Sequence, residues 1–82
     1  MTNDLTHRIH RLIDEGLFPL HQSFTEDADL FAEGLDSLAL MQLIVCLEKE
    51  FSINIRPEDL DRKNFSTLAD IANMVRTKAS LP

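Results

Sequence analysis

The chain has 82 residues, 44% of them hydrophobic, and a net charge of −6. That length holds one small domain with a thin core, since chains this short bury only roughly 60–65% of their unfolded surface. The acidic balance argues against a nucleic-acid partner or an anionic membrane surface, both of which need clustered cations, and favours a basic protein partner.

Residues 4 to 15 read as the first helix. Leu5, Ile9, Leu12 and Ile13 fall at i, i+4, i+7 and i+8, a single apolar stripe. Thr2 or Asn3 can cap its start, and Gly16 can stop it. Residues 17 to 36 form a long connection, in which Pro19 disfavours helix at Phe18. Phe18, Leu20, Phe24, Leu30 and Phe31 are expected to pin this loop to the bundle. An ordered connection of such length is usually functional. Its second half carries Glu26, Asp27, Asp29, Glu33 and Asp36 and no base. Asp29-Leu30-Phe31 can form a helical turn, and Gly34 supplies the bend that follows.

Residues 37 to 51 read as the second long helix, free of Gly and Pro, with Asp36 or Ser37 as its cap. Leu40, Leu43, Leu47 and Phe51 give its core stripe, with Ile44 beside it. Leu38, Met41 and Val45 fall on another side, so the helix is either central to the bundle or has a side for a partner. Ser52 to Arg56 is a short connector. A short third helix starts at Pro57, with Glu58 and Asp59 in its first turn. Asp61 to Phe65 is a second connector. Ser66 caps a final helix over about 67 to 78, with Leu68, Ile71, Ala72 and Val75 at core spacing. The tail, 79–82, is expected to fray.

These elements predict an all-α fold: a small antiparallel four-helix bundle of three long helices and one short, forming a single domain over 1–82. No apolar run is long enough to span a bilayer, and the N-terminus lacks the pattern of a signal peptide, so the cytoplasm is the expected compartment. A monomer is expected. Cys46 is the single cysteine, which excludes an internal disulfide and a cysteine-based zinc site; it reads as a small buried apolar residue. His7, His10 and His21 lack metal-ligand company and read as solvated, so no metal site is expected.

The candidate functional residue is Ser37, at the mouth of the second helix. Three readings of it need no resemblance: a plain capping serine, a phosphorylation site or a hydrolase nucleophile. The last fits poorly. Gly34 stands three residues before the serine, no Gly follows it, and all three histidines are distant in sequence.

The surrounding pattern carries more. Asp29-Leu30-Phe31, Gly34-Leu35-Asp36-Ser37-Leu38, Leu43, Leu47-Glu48 and Glu50-Phe51 together resemble the acyl, peptidyl and aminoacyl carrier proteins, over roughly residues 5 to 78. The resemblance implies a non-catalytic, free-standing carrier of acyl-carrier-protein type. Ser37 would bear a covalent 4′-phosphopantetheine, installed from coenzyme A by a phosphopantetheinyl transferase. The thiol of that arm would hold its cargo as a thioester. Asp36 and Leu38 match motif positions that partners contact, and Glu33, Met41 and Val45 complete the expected recognition surface. Fatty-acid carriers usually place several acids after the serine, whereas this chain has Ala39, Leu40, Met41 and Gln42. That departure, and Asp61-Arg62-Lys63 before Phe65, is closer to aminoacyl and D-alanyl carriers. The implied partners are then an ATP-dependent adenylating ligase and a downstream acyl-accepting enzyme. A fatty-acyl or polyketide carrier is the alternative. A helical interaction adaptor without a prosthetic group is the alternative from another class.

Overall fold

The computed structural model describes residues 4–79 and is all-helical, with no strand among the described residues. Its α-helices are α1 (Asp4–Gly16), α2 (Leu30–Glu33), α3 (Ser37–Phe51) and α4 (Leu68–Ala79). Two 3-10 turns, Pro57–Asp59 and Arg62–Asn64, lie between α3 and α4. The result is the expected bundle of three long helices and one short, but the short member is α2, read from the sequence only as a helical turn, while the short helix expected from Pro57 is a 3-10 turn.

Each long helix buries the face its sequence marks. Leu5, Ile9 and Ile13 of α1 meet Leu68, Ile71, Ala72 and Val75 of α4, and these two form the principal helix pair. Leu43 and Leu47 of α3 complete the core, while Leu40, Ile44 and Phe51 pack at its edge. Full burial of one such aliphatic side chain stabilises by about 1.5–3 kcal/mol. Polar ties orient the helices around this core. Arg8 of α1 stacks over the Phe51 ring at 4.6 Å and pairs with Glu50 at 3.1 Å. Glu48 of α3 accepts the Ile55 N–H at 2.9 Å and so fixes the return after the helix.

The long connection is ordered, and its apolar residues do pin it down. Leu20 and Leu30 are buried; Phe18, Phe24 and Phe31 pack against the core. Asp14 accepts the Leu20 N–H at 2.8 Å, which anchors the loop where it leaves α1. Farther along, Ala69 N donates to Glu26 O at 3.0 Å and Leu30 N to Ser66 O at 2.8 Å. The loop is therefore tied at one end to α1 and at the other to the start of α4.

Several expectations need correction. The short third helix ends at Asp59, and the following connector contains a second 3-10 turn, in which the Asn64 side chain donates to Asp59 O at 2.9 Å. The cap of the final helix is Thr67, whose Oγ1 accepts the Asp70 N–H at 3.0 Å. Ser66 donates its hydroxyl to Arg62 O instead, at 2.9 Å. Helix α4 includes Ala79, so the tail is still helical at its first residue, while residues 80–82 lie outside the described residues. The proposed caps Thr2 and Asn3 also lie outside them. Cys46 is half-buried, because α1 only partly covers its face of α3; Arg8, Arg11, Leu12 and Lys49 share its cleft.

At the far end of α3 the chain leaves through Ser52 in the left-handed region, φ 54°. Near the end of α4, Lys78 pairs with Asp59 at 2.6 Å, with both side chains mostly covered. The Lys78 ammonium, helped by the Arg56 backbone N–H, holds the Asp59 carboxyl below the usual carboxylate range.

Candidate functional site

Four short-range devices deliver Ser37 to the surface. Asp29 caps α2, its Oδ1 accepting the Phe31 N–H at 2.9 Å. Gly34 closes that helix with φ 144°, a conformation that disfavours side chains, and its N–H returns to Leu30 O at 3.1 Å. Leu35 then turns inward and is 2% exposed, so a buried leucine anchors the turn directly before the site. Asp36 follows in extended conformation, and its Oδ1 accepts the Ala39 N–H at 2.8 Å.

Asp36 is thus the cap, and Ser37 is the first residue inside α3. This decides between the two capping candidates and leaves the serine hydroxyl spare. Ser37 is exposed, and its Oγ makes no hydrogen bond among the described residues. The first-turn N–H groups of Ser37 and Leu38 have no helical acceptor, and the helix dipole places partial positive charge there. The exposed carboxylates of Glu33 and Asp36 stand close by in the chain and offset that charge.

Beyond the serine, α3 presents an apolar side to solvent. Leu38, Met41 and Val45 are 68%, 60% and 54% exposed, and their i, i+3, i+7 spacing aligns them on one face. Leu60, between the two 3-10 turns, is also half exposed. Sequence periodicity gives no hint of this residue, because it stands alone between Asp59 and Asp61. Leu35 was equally hidden, although a lone leucine between Gly34 and Asp36 is the kind of signal that marks a buried anchor.

Nothing around Ser37 is built for catalysis among the described residues. No histidine bonds to it: His10 donates Nε2–H to His21 O at 2.9 Å, and His21 Nδ1 accepts from Ser23. Among the described residues, no group of three His, Cys, Asp or Glu side chains is placed to hold a metal. Open clefts of about 700 Å³ lie on either side of α1, and Ser37 lines neither.

This arrangement is matched by a known sequence family. The family model describing the phosphopantetheine attachment site aligns with residues 17–75, which include the whole loop, the serine and α3. The chain belongs to the family of phosphopantetheine carrier proteins. Members tether substrates rather than transform them, and the group they use is a covalently attached 4′-phosphopantetheine. Among curated relatives, the carrier is 45% identical to the D-alanyl carrier protein of Lactococcus lactis over 53 residues, 63% of this chain and 67% of that protein. It is 35% identical to the aminoacyl carrier protein of Agrobacterium fabrum over 66% of this chain and 65% of that one. The acyl carrier protein of Thermotoga maritima is 32% identical over a longer stretch, 87% of this chain and 86% of its own. No solved structure matches.

Proposed function

We propose that Ser37 Oγ is the attachment point of the 4′-phosphopantetheine and that the carrier delivers an activated amino acid. The observation that carries the first half is the division of labour between two neighbours. Asp36 caps α3, so the Ser37 hydroxyl is exposed, unpaired and free to enter a phosphodiester. The residues present suit that group. The open N–H groups of the first turn would suit a phosphate on that oxygen, while Glu33 and Asp36 would keep the net attraction small. With no enclosed pocket at the serine, the covalent bond rather than a binding site retains the arm, and the arm stays free to visit successive enzymes. When attached, the group supplies a thiol on which cargo rides as a thioester.

The amino acid reading rests on the surface of α3 and on the relatives. Ala39, Leu40, Met41 and Gln42 give the first turns no acid, so recognition runs through the exposed Leu38, Met41 and Val45, with Asp36 and Glu33 at the rim. Relatives named for D-alanyl and aminoacyl cargo show higher identity than those named for acyl cargo. An ATP-dependent adenylating ligase would load the thiol, and an acyl-accepting enzyme would unload it, in the cytoplasm where coenzyme A and ATP are found. The second reading is a fatty-acyl carrier, favoured by the longer alignment with the Thermotoga protein.

Intact-mass analysis with a phosphopantetheinyl transferase and coenzyme A tests the attachment. One phosphopantetheine increment, lost in Ser37→Ala, is expected; a folded wild-type chain that stays unmodified overturns the assignment. Incubating the modified carrier with candidate ligases, ATP and labelled amino or fatty acids then tests the cargo. Exclusive loading with fatty acids removes the amino acid reading.

A further inference from the structure

Arg62 is held by a ring rather than by a carboxylate. Arg8, Arg11, Arg56, Lys63 and Lys78 each have an acidic partner within 4.0 Å. Arg62, like Lys49 and Arg76, pairs with no carboxylate of the described residues, but unlike those two it is seated on an aromatic ring. Its guanidinium lies over the Phe31 ring, with Cζ 3.9 Å from the centroid. Phe31 belongs to α2, the element that leads through Gly34 and Asp36 into Ser37.

Two hydrogen bonds join the same segments. Leu30 N donates to Ser66 O at 2.8 Å, and Ser66 Oγ donates to Arg62 O at 2.9 Å. Leu30 and Phe65 are both fully buried beneath them. Helix α2 has only 4 residues and cannot sustain its own conformation, since isolated helices shorter than about 12 residues are marginal in water. What it packs against therefore decides where it stands, and with it where the serine stands.

We propose that Arg62 is a positioning residue for Ser37: its guanidinium, stacked on Phe31, clamps α2 to the second 3-10 turn. The clamp sets the fraction of molecules whose Ser37 and Leu38 are presented in one geometry. This rests on the assignment of Ser37 as the attachment residue. A cation over a ring at an exposed site shifts an equilibrium by about two- to five-fold. A partner that docks only on the ordered turn then meets a smaller competent fraction when the stack is lost. Its apparent KM rises and kcat is unchanged.

The test measures KM and kcat for the carrier with a phosphopantetheinyl transferase and coenzyme A, alongside amide hydrogen exchange. In Arg62→Ala, KM should rise by at most about two- to five-fold, the full factor only where the ordered turn is the minor state, with kcat constant. Exchange at Leu30, Gly34 and Leu35 should quicken while α1 and α4 are unaffected. Arg62→Lys, which keeps a cation over the ring, should restore most of the KM. Phe31→Leu, which loses core packing as well as the stack, should raise KM at least as much as Arg62→Ala, and adding Arg62→Ala to it should raise KM no further. Three results overturn the clamp: an unchanged KM and exchange pattern in folded Arg62→Ala, additive effects of the two substitutions, or a KM rise that Phe31→Leu does not share. A wild-type chain that the transferase leaves bare overturns the Ser37 assignment instead, and the exchange data still decide the clamp.

Discussion

Asp36 can be separated into two roles, cap and charge, by comparing Asp36→Ala with Asp36→Asn. The alanine variant loses the acceptor for the Ala39 N–H, now met at 2.8 Å by Oδ1. Loss of such a cap costs about 1 kcal/mol, within a range of roughly 0.5–2. An 82-residue domain unfolds with an entropy of about 0.17 kcal/mol/K, so this cost lowers Tm by about 6 °C. Asparagine keeps an acceptor and ranks with aspartate at this position, leaving only the lost charge at the helix dipole, a drop of about 2–6 °C at low salt that Asp36→Ala incurs on top of the lost cap. Thermal melts followed by circular dichroism at neutral pH and low salt supply both values. The transferase assay then reads the second role: if the Asp36 carboxylate meets a basic partner, Asp36→Asn slows modification while melting above Asp36→Ala. The capping argument fails if Asp36→Ala melts within about 1 °C of wild type, or if Asp36→Asn melts as low as Asp36→Ala.

Gly34→Ala should destabilise the fold by about 1–2 kcal/mol, because φ 144° is strained for any side chain even though the new Cβ would only touch Phe18; denaturant melts measure it. The depressed Asp59 carboxyl stabilises the fold fully above its ordinary value of about 3.9 and loses that contribution as pH falls through its lower folded value. Asp59→Asn should therefore melt below wild type at neutral pH, with the gap closing as pH falls below the ordinary carboxylate range; a gap that stays constant with pH contradicts this origin. If the acids from Glu26 to Asp36 steer a basic transferase, association should slow as the Debye length shrinks from about 30 Å at 0.01 M salt to about 8 Å at 0.15 M. Stopped-flow binding over that range tests it, and a flat response excludes steering.

Helix α3 was readable to the residue, because an unbroken apolar run begins at an Asp-Ser pair and ends before a short extended connector. The same periodicity placed α1 and α4 to within a residue at each end. What escaped was settled by contacts across the fold. Ser66 and Thr67 are adjacent hydroxyls equally suited to capping, and the choice fell to Thr67 as Ser66 engaged both Leu30 and Arg62. The second 3-10 turn depends on Asn64 reaching Asp59, five residues away and invisible to any helical period. At the site, the exposed serine at the helix entrance was legible from local order, whereas the choice of Asp36 over Ser37 as cap and the outward side of Leu38, Met41 and Val45 were left as alternatives that packing resolved. The Arg62–Phe31 stack was not legible, because a loop and a later turn meet only after folding.

Stability and the proposed recognition surface sit on different parts of this molecule. The α1–α4 pair carries much of the buried core, whereas Leu38, Met41 and Val45 project from α3 into solvent. Exchanges at such outward positions usually change folding free energy by less than about 0.5 kcal/mol. A lineage of these chains can thus acquire or abandon enzymes one surface residue at a time, without repacking the interior. The same separation makes that outward face the place where an engineer can exchange side chains with little effect on the fold.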